Sequence, residues 1–161
     1  MMRVIDFHCD TMGERIARSE GKVGLRSNDC HISLEKMLKG EGLAQFFAIW
    51  IPLHDTAEKL GVTMQPYEYF NFVYGKYLEE MEKNKDIVAP AFCLDDIKAN
   101  REKGLLSSIL SIEDSVPLEG KTERVVAVNN NQLMDYDIDE ALAMKKPFKD
   151  QLFRMAEEIN I

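Results

Sequence analysis

The sequence predicts an α/β fold built on about four parallel strands. Two observations carry that reading: four strand-like runs, the first short and β-rich and the others largely apolar, and helical segments with short connections between them. The runs are Arg3 to His8, Leu43 to Ile51, Ile87 to Phe92 and Leu105 to Ile112. A strand with one wet face alternates apolar and polar residues. A strand covered on both faces has no such need, and continuous runs are what a parallel sheet between helices requires.

Taken in order, Arg3 to His8 is short, β-rich and ends in a polar cluster. Ser33 to Gly40 reads as a helix. Leu43-Ala44-Gln45-Phe46-Phe47-Ala48-Ile49-Trp50-Ile51 is the second strand, stopped by Pro52. The clearest helix runs from Pro66 to Asn84, with Phe70, Val73, Tyr74, Tyr77, Leu78 and Met81 at helical spacing. Pro66 stands in its first turn, where a missing N–H costs nothing. Ile87 to Phe92 is the third strand, and Leu94 to Lys103 is a helix with Asp95 and Asp96 in its first turn and Gly104 past its end. Leu105 to Ile112 is the fourth strand.

The texture changes after Gly120. Arg124-Val125-Val126-Ala127-Val128, Asn129-Asn130-Asn131 and Gln132-Leu133-Met134 read as a small β-hairpin with Asn-rich turn chemistry. Two helices are expected after it, about Ile138 to Lys145 and Phe148 to Ile159, punctuated by Pro147. Residues 1–120 and 121–161 are therefore read as two units.

The 161 residues suffice for one compact domain or a piece of a larger one, and 45% apolar content allows a sizeable core. A formal charge of −8 argues against a nucleic-acid partner, whose phosphates would be repelled. No apolar run approaches the roughly 18 residues that cross a bilayer, and the start runs from Met-Met-Arg into a strand without a signal-peptide core. Cys9, Cys30 and Cys93 are odd in number and widely spaced, so they read as reduced thiols of a cytoplasmic protein.

Two places can carry chemistry. In Asp6-Phe7-His8-Cys9-Asp10, strand alternation lets Asp6, His8 and Asp10 share a face while Phe7 and Cys9 point behind. A His and an Asp two apart at a strand end make a compact N/O pair for a zinc-class cation; the competing reading is a polar strand end that caps the next turn. The second place is Ile109-Leu110-Ser111-Ile112-Glu113-Asp114, an apolar strand ending in carboxylates, where a parallel α/β enzyme puts functional groups. Glu113 read singly is equally a solvated residue opening a loop. Together the two places fall on one rim, because both lie where strands finish.

Several stretches resemble one family. Val4-Ile5-Asp6-Phe7-His8-Cys9-Asp10-Thr11 is similar to the opening of the membrane (renal-type) dipeptidases and their bacterial relatives, and Gly42-Leu43-Ala44-Gln45-Phe46-Phe47-Ala48 to their second strand. Pro66-Tyr67-Glu68-Tyr69 resembles the start of their long helix, and Ser111-Ile112-Glu113-Asp114 with Pro117-Leu118-Glu119-Gly120 their glutamate loop. The resemblance covers residues 3 to about 120. It implies a truncated, half TIM-type β/α barrel, with His8 and Asp10 binding a first zinc and Glu113 bridging to a second. It further implies hydrolysis of dipeptides by metal-activated water.

That family also uses two later histidines for the second zinc and downstream residues that hold substrate and handle the proton. Here the other histidines, His31 and His54, precede Glu113. The expected inventory is thus one zinc on His8, Asp10 and Glu113, no catalytic or other cofactor-binding residue, and impaired or absent dipeptidase activity.

Arg124-Val125-Val126-Ala127-Val128, Asp137-Ile138-Asp139-Glu140-Ala141-Leu142-Ala143-Met144-Lys145-Lys146 and Met155-Ala156-Glu157-Glu158-Ile159-Asn160-Ile161 resemble instead the C-terminus of bacterial 6-phosphofructokinases, with the seam near Leu118-Glu119-Gly120-Lys121. None of the residues that enzyme uses on ATP or sugar phosphate is carried over, so a phosphofructokinase function is the least favoured. An inert fusion fragment and a non-catalytic interaction protein stand as alternatives to the dipeptidase. A half barrel is expected to expose the edges of strands one and four, which favours a homodimer through those edges.

Overall fold

The computed structural model describes residues 3–113 and 115–121. Strand β1 (Val4–Cys9) leads through a π-helical turn, Thr11–Ile16, and a 3-10 turn, Ala17–Ser19, into a long loop. Helix α1 (Leu34–Lys39), strand β2 (Gly42–Ile49) and helices α2 (His54–Leu60) and α3 (Pro66–Lys83) follow. Strand β3 (Val88–Pro90), helix α4 (Leu94–Glu102), strand β4 (Leu106–Ile112) and a 3-10 turn, Val116–Leu118, complete the described part. The hairpin and two helices expected after Gly120 lie outside the described residues.

All four strands are parallel and form one sheet in the order β1-β2-β4-β3. The predicted α/β class and strand count hold, but the predicted edges do not. The fourth strand sits inside the sheet against β2, and the third takes the edge. The sequences of the two strands explain the exchange. Strand β3 is three residues long and ends in Pro90, which cannot donate to a ladder and is tolerated at an edge. Strand β4 is more than twice as long, and its register with β2 runs unbroken from Ala44↔Ser107 to Ile49↔Ile112.

Strand β2 is buried along nearly its whole length, as its continuous apolar run requires. Its two faces enter different clusters. Phe47 and Ile49, with Leu106 of β4, pack against Phe70, Val73, Tyr77 and Met81 of α3 and against Met12 and Ile16 of the turn after β1. Ala44 packs with Ala91 and with Ile97 of α4, and Ile109 of β4 lies against them. Phe47 and Phe70 have no exposure at all, so each contributes about 1.5–3 kcal/mol of transfer free energy.

The α3 stripe is Phe70, Val73, Tyr77, Met81, stepping three or four residues at a time. Leu78, also expected inside, is 47% exposed, because one residue beyond Tyr77 is a 100° turn away from the buried side. Tyr77 pins α3 to β4: its phenol oxygen accepts a hydrogen bond from Ser108 Oγ at 3.0 Å, and Ser108 is fully buried. Burial pushes the Tyr77 phenol up to about 12, against a smaller downward pull from that hydrogen bond.

The loop before α1 is fixed to the other end of α3 by a buried carboxylate. Glu80 Oε2 accepts from the Leu25 amide at 2.7 Å and from Asn84 Nδ2 at 3.3 Å, and Oε1 accepts from Lys83 Nζ at 2.9 Å. Helix ends follow the local sequence. Ser33 Oγ accepts from the Lys36 amide at α1, and the Glu68 carboxylate closes a capping box on Gln65 at α3. Gly61, with φ of +67°, ends α2, a short helix that the apolar periodicity did not separate from its surroundings.

Candidate metal centre

The C-terminal ends of β1 and β4 converge on one rim, as predicted. Ile112 closes the β4 ladder opposite Ile49, and the next residue, Glu113, donates its amide to the Ile49 carbonyl at 3.2 Å. That bond ties the root of the Glu113 side chain to β2. On the other side of β2, Cys9 pairs with Phe47, which brings the end of β1 level with the end of β4.

Strand β1 is irregular where it matters. Asp6 pairs with Gln45 and Cys9 with Phe47, so Phe7 and His8 together stand opposite the single residue Phe46. This is a β-bulge, one extra residue on β1, which kinks the strand and breaks its two-residue period. Of the three residues expected on one face, His8 and Asp10 come together, while Asp6 stands outside the cluster. Past the bulge, Asp10 has left the strand and caps the π-helical turn with its backbone. Cys9 does face away, buried among core side chains, and burial raises its thiol to about 11, the charges of Asp6 and Asp10 adding to the rise while bonds with Thr11 oppose it. A thiol so held is a poor ligand and a poor nucleophile. Phe7 is not buried behind the strand: it is 54% exposed and lies over Phe46, ring centroids 5.4 Å apart.

The outcome is a three-residue cluster. One ligand atom each from His8, Asp10 and Glu113 lies within 4.8 Å of the other two. His8 Nε2 and Asp10 Oδ2 are 3.3 Å apart. The two atoms are in direct hydrogen-bonding contact, and bonds of about 2.0–2.1 Å at tetrahedral angles would put neighbouring ligand atoms at roughly that separation, 3.3–3.4 Å. One imidazole nitrogen and two carboxylate oxygens are a donor set that zinc-class ions accept, with open positions left over. His54 begins α2 and His31 lies in the loop before α1; neither belongs to the cluster.

Two features of the rim were not legible in advance. Asp6 Oδ1 accepts a hydrogen bond from the His8 amide at 3.0 Å. Gln45, fully buried, donates through Nε2 to the Phe46 carbonyl at 3.0 Å and reaches the Asp6 carbonyl at 3.5 Å, while its Oε1 meets no donor among the described residues. The Gln inside an otherwise apolar run was the one available signal.

The fold is that of metallo-dipeptidases. The chain superimposes on a dipeptidase crystal structure, dipeptidase AC, with a TM-score of 0.66 and 17% identity, over 81% of this chain and 40% of that one. A second match is a Rhodobacter sphaeroides metallopeptidase liganded with a phosphinate mimic of the dipeptide L-Ala-D-Ala. There the TM-score is 0.63 and the identity 15%, over 78% of this chain and 42% of that one. The C-terminal part is similar to a different kind of protein. The ATP-dependent 6-phosphofructokinase of Caldanaerobacter subterraneus subsp. tengcongensis is 50% identical over 44 residues, which are 27% of this chain and 14% of that enzyme. The chain thus spans about two fifths of the peptidases whose fold it shares and a seventh of the kinase it matches. No family model matches it.

Proposed function

We propose that this chain carries a one-ion metal centre of dipeptidase type, with His8, Asp10 and Glu113 as its ligands and zinc as the preferred ion. The observation that carries the reading is the convergence of these three donors, from residues 105 apart in sequence, within 4.8 Å at the ends of β1 and β4. A bound ion would act as a Lewis acid toward a peptide carbonyl and lower the pKa of a coordinated water. The protein's own part is to fix the donor set, through the bulge in β1 and through the Glu113 amide bond to β2, and to leave the rim open for a dipeptide.

Activity toward dipeptides is weak or absent in this chain by itself. Its donors suffice for one ion, whereas the two-metal clamp and the positioning of substrate supply much of the rate in such hydrolysis. The two resemblances support separate origins for residues 1–120 and 121–161, and a fusion of two coding segments accounts for both. That origin favours a second reading, an inert fusion fragment. We also propose a cytoplasmic location, in keeping with the free thiols of Cys9, Cys30 and Cys93, and pairing of copies through the β1 and β3 edges. Among the described residues no helix is long and apolar enough to cross a membrane.

Elemental analysis of the purified chain, with His8→Ala and Glu113→Ala beside it, tests the proposal. About one zinc per chain, lost in either variant, supports the metal centre and warrants dipeptide assays. Zinc-free protein after reconstitution refutes it in favour of the fragment.

A further inference from the structure

One side chain bridges the irregular stretch of β1. An extra residue in a strand drops out of the ladder and leaves its backbone groups without strand partners. Within this stretch the exposed His8 amide donates to Asp6 Oδ1 at 3.0 Å. The bond spans two residues, so it closes a small ring across the bulge and restrains the backbone dihedrals that aim the His8 imidazole. From the other side, Gln45 Nε2 holds the carbonyls of Phe46 and Asp6, and Gln45 is itself fully buried.

We propose that Asp6 is a positioning residue for the metal centre: its carboxylate accepts the His8 amide across the irregular stretch of β1 and thereby holds His8 at donor distance from Asp10. This inference rests on the metal-centre reading above. Asp6 stands outside the donor cluster, and the oxygen that caps His8 is aimed at backbone, not at the rim. Without the cap the extra residue has no fixed place. The strand then gains access to the regular two-residue register, in which His8 moves relative to Asp10 and Glu113.

The test uses the full chain, with Asp6→Ala and Asp6→Asn. Zinc affinity is read by competition with a chromogenic chelator, and the His8 amide by hydrogen exchange on metal-free protein. Asn keeps the acceptor oxygen and loses the charge. The expected result is zinc binding about 10–100-fold weaker in Asp6→Ala, the range for loss of a group that orients a ligand. Asp6→Asn should recover affinity to within a few-fold, since a neutral acceptor gives roughly half the strength of a charged one. The His8 amide should exchange faster only in the Ala variant. Unchanged zinc affinity in Asp6→Ala overturns the proposal. Equal weakness of both variants overturns it too, because charge rather than the hydrogen bond would then be at work. Should the parent chain bind no zinc while Asp6→Ala still frees the His8 amide, the metal centre is refuted and Asp6 is only the cap of a bulge.

Discussion

Replacing Tyr77 by Phe removes one oxygen from the joint between α3 and β4, and the structure sets the size of the effect. The lost oxygen is the acceptor for Ser108 Oγ at 3.0 Å, and both side chains are buried. The variant leaves a buried hydroxyl without that partner, at about 1–3 kcal/mol. Removing both groups together, in Tyr77→Phe with Ser108→Ala, should restore most of the loss, so the double-variant cycle is strongly non-additive. Urea unfolding followed by circular dichroism measures it.

The same residue governs alkaline stability. The folded state raises the phenol from its ordinary 10.0 to about 12, so between those values the folded chain holds more protons than the unfolded one. Stability therefore falls as pH rises from 10 to 12, by about 2–3 kcal/mol for this group. Tyr69 and Tyr74 are also raised by burial, so the parent chain keeps part of the dependence, and the difference between parent and Tyr77→Phe isolates the Tyr77 share. An additive cycle, or identical alkaline profiles for parent and variant, would refute the reasoning.

Glu80→Ala strips the Leu25 amide and Asn84 of a buried acceptor, and should cost about 2–4 kcal/mol in the same urea assay, with proteolysis near Leu25 rising first. Cys93, exposed, should react with iodoacetamide at pH 8 within minutes, whereas buried Cys9, with its thiol at about 11, stays unlabelled until the chain unfolds; mass spectrometry of peptides distinguishes them. Phe7→Glu puts a charge on the exposed β1 edge and should lower the mass in solution by light scattering if copies pair there; an unchanged mass removes β1 from that contact.

The β2 strand was legible because burial on both faces writes itself as a nearly continuous apolar run, and α3 as a stripe ending at Met81. Sheet order was not legible. Which strand lies inside depends on ladder length and on Pro90, and an apolar run such as Ile87 to Phe92 carries no sign that only three of its residues will pair. The three candidate ligands come together at the strand ends, with Asp6 outside the cluster. Alternation alone would have aligned Asp6 with His8 and Asp10; a bulge is a property of two strands in register, and no single strand's sequence declares it. Leu78 illustrates the same limit at smaller scale, since an apolar residue at the margin of a stripe is inside or outside according to what packs above it.

The exchange of β3 and β4 also bears on how the chain is made. Strand β3 leaves the ribosome before β4, yet among the described strands β4 is the only one it pairs with. At ordinary synthesis rates of about 5–20 residues per second, the interval between Pro90 and Leu106 lasts roughly one to three seconds. In this topology β4 lies between β2 and β3 and carries Glu113 to His8, so the rim requires β4 in place, and zinc uptake during refolding would time its arrival.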